Sequence, residues 1–143
     1  AVGTSTHSGN VWSNSANGSM VDPYTQENRS YPDQKPEVSA PGILLFSTTS
    51  TQIEPPYAYS TGTSDSTVLV TGALALILEL YGTALAGDDG VIDAEEMEMV
   101  KRSLASSCDK SGTDGSPHDA RGGYGFLDAV QWSTDIAFEL NLA

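Results

Sequence analysis

Residues 59–81 read YSTGTSDSTVLVTGALALILELY. The first part, Tyr59 to Thr67, is built of hydroxyl residues, glycine and a single acid, and it runs straight into the most hydrophobic stretch of the chain. From Val68 to Tyr81 the sequence is apolar on nearly every helical face. Thr71, Gly72, Ala73 and Ala75 are small enough there to let other backbones approach. A helix that is apolar all round is one buried on all sides, so this stretch predicts a core helix. Ser64 stands at its mouth, where two readings compete. It caps the helix, or it is an activated nucleophile. In the second case the unpaired amides and positive dipole end of the helix stabilise the oxyanion formed when the serine attacks a carbonyl.

Upstream, residues 1–35 are rich in Ser, Asn, Gly and Thr, and the short apolar start "AVG" predicts a strand end followed by loops. "KPEVSAPG" (35–42) places Pro36 and Pro41 around a polar hinge, and "ILLFST" (43–48) has the continuous apolar character of a short buried strand in a parallel sheet. Pro55-Pro56 closes that unit. Downstream, "GTALAGDDGVID" reads as a loop leading into a helix at "AEEMEMVKRSLASSC". Asp93 is its expected N-cap with Glu96 at the third helical position, and Met97, Val100 and Leu104 fall on one core-facing side. A second polar loop, "DKSGTDGSPHDARGG", precedes a short helix at "YGFLDAVQW" and a final helix or strand at "DIAFELNL".

The chain has 143 residues, enough for one ordinary domain or a piece of a larger one. Its formal charge is −13, which repels nucleic-acid backbones and anionic membranes at long range and excludes both as expected partners. Most of the excess acid lies beyond residue 60. An acidic, lysine-poor surface is shared by proteins adapted to high salt and by ordinary soluble acidic proteins. Cys108 is alone, so an intrachain disulfide is excluded. The apolar run from Val68 to Leu80 falls short of the about 20 residues that span a bilayer, and the chain is expected to be soluble.

Several separated segments follow one family pattern in order and spacing. "AVGTSTHSGNVWSNSANGS" resembles a strand and Ser-rich loop that usually begins AVGA. "KPEVSAPG" is nearly KPDVSAPG, "TGTSDSTVLVTGALALIL" matches SGTSMASPHVAGAAALL, and "GGYGFLDAVQW" matches a closing glycine-rich helix start. Over residues 1–132 the chain resembles the C-terminal half of a subtilisin-like serine protease (subtilase) catalytic domain. The resemblance implies an α/β fold, a three-layer sandwich with a parallel sheet, of which residues 1–143 are the C-terminal part. It implies peptide-bond hydrolysis through an acyl-enzyme, with peptide or protein substrates and an extracellular location. Ser64 would be the nucleophile, with its own amide as one oxyanion donor, and Gly62 and Thr63 would form the tight turn that presents it.

Two departures bear on chemistry. The family's Met-Ala-Ser-Pro-His after the serine is here Asp65-Ser66-Thr67-Val68-Leu69, so an acid adjoins the nucleophile. At the first helical position that acid complements the dipole; pointed into the site it disfavours anion formation. The second departure is an absence. The Asp and His of the triad and the oxyanion Asn have no matching block in these residues, while His7 and His118 lie outside the family's motifs and read as surface histidines. The isolated segment is therefore expected to be inactive. Its apolar helix is expected to be covered by an N-terminal half of the same domain or by a second copy. The alternative from another class is a non-catalytic subtilase-like fragment used for binding or assembly.

A third reading is a calcium-binding module. "DDGVIDAEE" (88–96) has the tail of a calcium loop, which makes Asp88, Asp89, Asp93 and Glu96 a weak calcium set. The two leading ligand positions are Leu85 and Gly87, which offer no carboxylate. The segment is read instead as a turn and a capped helix, with no metal or other cofactor expected.

Overall fold

The computed structural model describes residues 1–50, 52, 54–113 and 116–142; within the second polar loop, Asp114 and Gly115 lie outside the described residues. The elements in chain order are β1 (Val2–Ser5), β2 (Val38–Pro41), β3 (Leu45–Thr48), β4 (Tyr57–Ser60), α1 (Thr63–Leu85), a 3₁₀ turn (Gly87–Asp89), α2 (Ala94–Ser107) and α3 (Ala129–Glu139).

β1 and β2 form a parallel pair in the register Val2↔Val38 to Ser5↔Pro41. Its parallel pairing and crossover through residues 6–37 agree with the α/β class expected from the resemblance. Within "KPEVSAPG", Val38–Pro41 form strand β2 where a polar hinge was expected. Val38, Ser39 and Ala40 are buried because the backbone on either side of them is satisfied. β1 lies along one edge, and on the other Ser39 donates to the Gly125 carbonyl at 2.9 Å while Leu127 donates to that of Ser39 at 2.8 Å. The glycine-rich motif thus extends the sheet by a third backbone segment.

"ILLFST" also departs from expectation. β3 pairs antiparallel with β4, Phe46 opposite Tyr59, and the hairpin is largely exposed. Leu44 enters it with φ 52° and donates its amide to Thr61 Oγ1 at 2.9 Å. The chain is thereby turned away from the parallel sheet after Gly42. The apolar residues that suggested burial serve cross-strand packing instead, with the Phe46 ring 5.5 Å from Tyr57 and 5.1 Å from Tyr59.

α1 spans 23 residues, longer than the apolar run alone suggested, and it is long and apolar enough by length and composition to cross a membrane. It packs on β1, β2 and α3. Only Ser66, Ile77 and Leu85 are buried along it, while Val68, Leu76 and Leu80 are 69, 68 and 67% exposed. Residues 1–143 therefore cover one side of the helix and leave an apolar face open. That face continues across Ala129 and Val130 of α3, where a cleft lined by Ala73, Leu76, Ile77 and Leu80 lies between the two helices.

α2 opens as its sequence predicts. Asp93 accepts from the Glu95 amide at 2.8 Å, Glu96 Oε2 accepts from the Asp93 amide at 3.0 Å, and the reciprocal capping box is complete. Val100 and Leu104 are buried, and Met99, not Met97, packs against the core. The last two predicted elements are one helix, α3, capped by Asp128, whose Oδ1 accepts from the Gln131 amide. The fully buried Trp132 donates its indole N–H to the Val100 carbonyl at 3.1 Å and joins α3 to α2. Cys108 lies in the same core, and burial pushes its thiol pKa up to about 12, which keeps it protonated and unreactive.

Candidate functional site

The end of the parallel sheet and the start of α1 meet at Gly42. Its amide donates to the Ser5 carbonyl at 3.1 Å, and its own carbonyl accepts from Gly62 at 2.8 Å. A methyl group on Gly42 would lie 2.2 Å from Ser66 Oγ, 2.6 Å from the Gly62 carbonyl oxygen and 2.9 Å from Thr4 Cγ2. Any side chain there would push the helix start off the sheet. Ser66 seals the junction: it is fully buried and donates to the Ala40 carbonyl at 2.9 Å. Its single hydrogen is then committed, so Thr4 Oγ1, 3.1 Å away, is the donor of the second bond.

These bonds fix the residues between. Gly62 is the N-cap of α1 in an extended conformation, φ 170°, and has no side chain to cap with. Thr63 and Ser64 are the first two helical residues, so Ser64 is not a cap. Its amide is one of the first-turn N–H groups that a helix leaves without an internal partner. Ser64 is exposed, and among the described residues its hydroxyl makes no hydrogen bond. Thr63 offers its carbonyl to Thr67 Oγ1 at 2.8 Å. Asp65 is the third helical residue, not the first, and its Oδ2 accepts from Ser60 Oγ at 2.9 Å. The arrangement is a free hydroxyl beside free amides at the positive end of a long helix, on a turn held by buried hydrogen bonds.

No base accompanies Ser64 among the described residues. The His118 ring donates from Nε2 to the Pro36 carbonyl at 2.8 Å and meets the Tyr124 ring edge-on at 4.9 Å. His7 is exposed in its loop. Neither bonds to Ser64.

The calcium set is not brought together either. Asp89 accepts from the Val91 amide at 2.9 Å, and Asp93 and Glu96 are occupied by the capping box. Among the described residues no three His, Cys, Asp or Glu side chains are grouped to hold a metal ion. The residues that sequence reasoning missed are Gly42, Ser60, Thr61 and Ser66. Their one legible signal is small size on both sides of the Thr63-Ser64 turn.

The model of the subtilase family matches residues 1–125. Among solved structures, the CspB protease of Clostridium perfringens superposes with a TM-score of 0.66 at 22% identity, covering 93% of this chain and 25% of that one. The prenylagaramide maturation protease PagA gives 0.58 at 24% identity, covering 95% and 41%. MycP1 with its N-terminal propeptide removed gives 0.58 at 19%, covering 92% and 35%. This chain thus spans between a quarter and about two fifths of their lengths. No curated protein matches it by sequence. These likenesses carry the α/β, subtilisin-like fold, and with the family match over most of its length the chain belongs to the subtilase family.

Proposed function

We propose that this chain is the nucleophile-bearing part of a serine endopeptidase, with Ser64 as nucleophile. The observation that carries the reading is the exposed, unbonded Ser64 hydroxyl on a turn held by Gly42 and Ser66 at the N-terminus of α1, in a chain of the subtilase family. Ser64 Oγ attacks the scissile carbonyl while a base takes its proton. The oxyanion is held by the Ser64 amide. Collapse breaks the C–N bond, the base returns the proton to the leaving amine, and water hydrolyses the resulting ester by the same route.

The base and its orienting carboxylate come from outside residues 1–143. The same reading assigns the open apolar face of α1 to the rest of the catalytic domain, or to a second copy. It takes α1 as a core helix and not a membrane span. Substrates are peptides or proteins, with no nucleic acid, membrane or calcium requirement, and the location is extracellular.

The test is hydrolysis of a casein-type substrate by the natural chain that carries these residues. Ser64→Ala is expected to cut turnover by several orders of magnitude with the fold intact; undiminished turnover in that variant would overturn the reading. The lack of a base beside Ser64 among the described residues favours a second reading, a non-catalytic subtilase-like binding fragment. It predicts no turnover in the natural chain at all.

A further inference from the structure

The first turn of α1 holds a carboxylate directly beside the proposed nucleophile. Asp65 directly follows Ser64, and the hydrogen bond from Ser60 Oγ at 2.9 Å holds its Oδ2 on the β4 side. A methyl group built on Gly62 would lie 3.5 Å from Asp65 Oδ2 and 3.7 Å from the Ser64 amide nitrogen, and among the described residues beyond its own chain neighbours it would meet nothing else within 4 Å. The open space over Gly62 is therefore shared by the proposed oxyanion donor and by an acid. The two atoms lie within about 7 Å of each other, a range over which unit charges still interact appreciably at a partly covered protein surface.

Nothing in the described residues neutralises that acid. The ion pairs there engage Asp22, Asp33, Glu37 and Glu98, and Asp65 has only the neutral hydroxyl of Ser60. An unpaired carboxylate so placed opposes the negative charge that develops on the substrate oxygen, and a cation lodged beside it removes the opposition. The chain's charge of −13 acts in the same sense at long range. We propose that Asp65, oriented by Ser60, is a specificity-determining residue that selects polypeptide substrates with Lys or Arg directly beside the scissile bond. This rests on Ser64 being the nucleophile.

The test uses the natural chain carrying residues 1–143 and fluorogenic peptides that place Lys, Arg, Ala or Glu in turn at the two positions flanking the scissile bond. The wild type is expected to favour Lys or Arg over Ala in kcat/KM by about tenfold at one of those positions, more at low salt than at high. Asp65→Asn keeps the shape and an acceptor for Ser60; it is expected to lose that preference while gaining on neutral peptides. Asp65→Lys is expected to turn the preference towards Glu. A preference for Lys or Arg that survives in Asp65→Asn, or a wild type indifferent to flanking charge, would overturn the proposal while leaving the nucleophile in place. Hydrolysis that survives Ser64→Ala would instead overturn the reading beneath it.

Discussion

Ser66 donates its hydroxyl hydrogen to the carbonyl oxygen of Ala40 across 2.9 Å, and neither residue has any solvent exposure. This bond ties the first turn of α1 to strand β2 and so sets the height at which Ser64 stands. Removing it leaves a buried acceptor short of a partner. Ser66→Ala is expected to destabilise the fold by about 1–2 kcal/mol. Gly42→Ala, which drives a methyl group into Ser66 Oγ and the Gly62 backbone, is expected to cost about 1–3 kcal/mol or more. Denaturant unfolding of the two variants checks both values, and the order Gly42→Ala worse than Ser66→Ala is the sharper expectation.

The open face of α1 gives a second prediction. Val68, Leu76 and Leu80 form an apolar surface that continues onto α3, larger in character than the scattered apolar residues of an ordinary monomer surface. Residues 1–143 produced alone are expected to self-associate and to bind a hydrophobic dye. The pair Leu76→Lys and Leu80→Lys is expected to reduce both. Size-exclusion chromatography with light scattering reads the outcome, and a monodisperse, dye-silent wild-type monomer would contradict it.

The sequence carried the helices better than the strands. Asp93 and Glu96 announced the α2 start because a capping box is a local device written in two residues. Ser64 was singled out by the resemblance of its surroundings to a family motif, because glycine and hydroxyl residues ahead of an apolar run fit a helix cap equally well. The hairpin misled because Leu45 and Phe46 are apolar whether they pack in a core or on a neighbouring strand, and composition does not separate those cases. Ser66 and Gly42 were missed for a different reason. They touch each other across a chain separation that no local pattern spans, so their roles exist only in the assembled fold. The extent of α3 was obscured by Ser133, Thr134 and Asp135, weak helix formers that the packing of Trp132 and Ile136 carries through.

The capping box bears on both calcium and pH. Hydrogen bonds from the Glu95 amide, then the interaction with Glu96, hold the Asp93 carboxyl below its ordinary value. A depressed carboxylate contributes stability that is complete above its unfolded pKa and is lost as pH falls through the folded one. Asp93→Asn is therefore expected to flatten the acid limb of the stability curve while changing little at neutral pH. With Asp93 and Glu96 so engaged, millimolar calcium is expected to leave the melting temperature unchanged within about a degree. A saturable rise abolished by Asp89→Ala would contradict that.

The central claim is that Ser64 is the nucleophile, and covalent labelling tests it most directly. The natural chain carrying residues 1–143 is treated with a fluorophosphonate probe, digested, and the adduct mapped by mass spectrometry. A serine hydroxyl reacts only when a base activates it. The account predicts one adduct, on Ser64, absent from Ser64→Ala and absent when residues 1–143 are treated alone. An adduct on another serine, or a natural chain that hydrolyses peptides with Ser64 unlabelled, would contradict it.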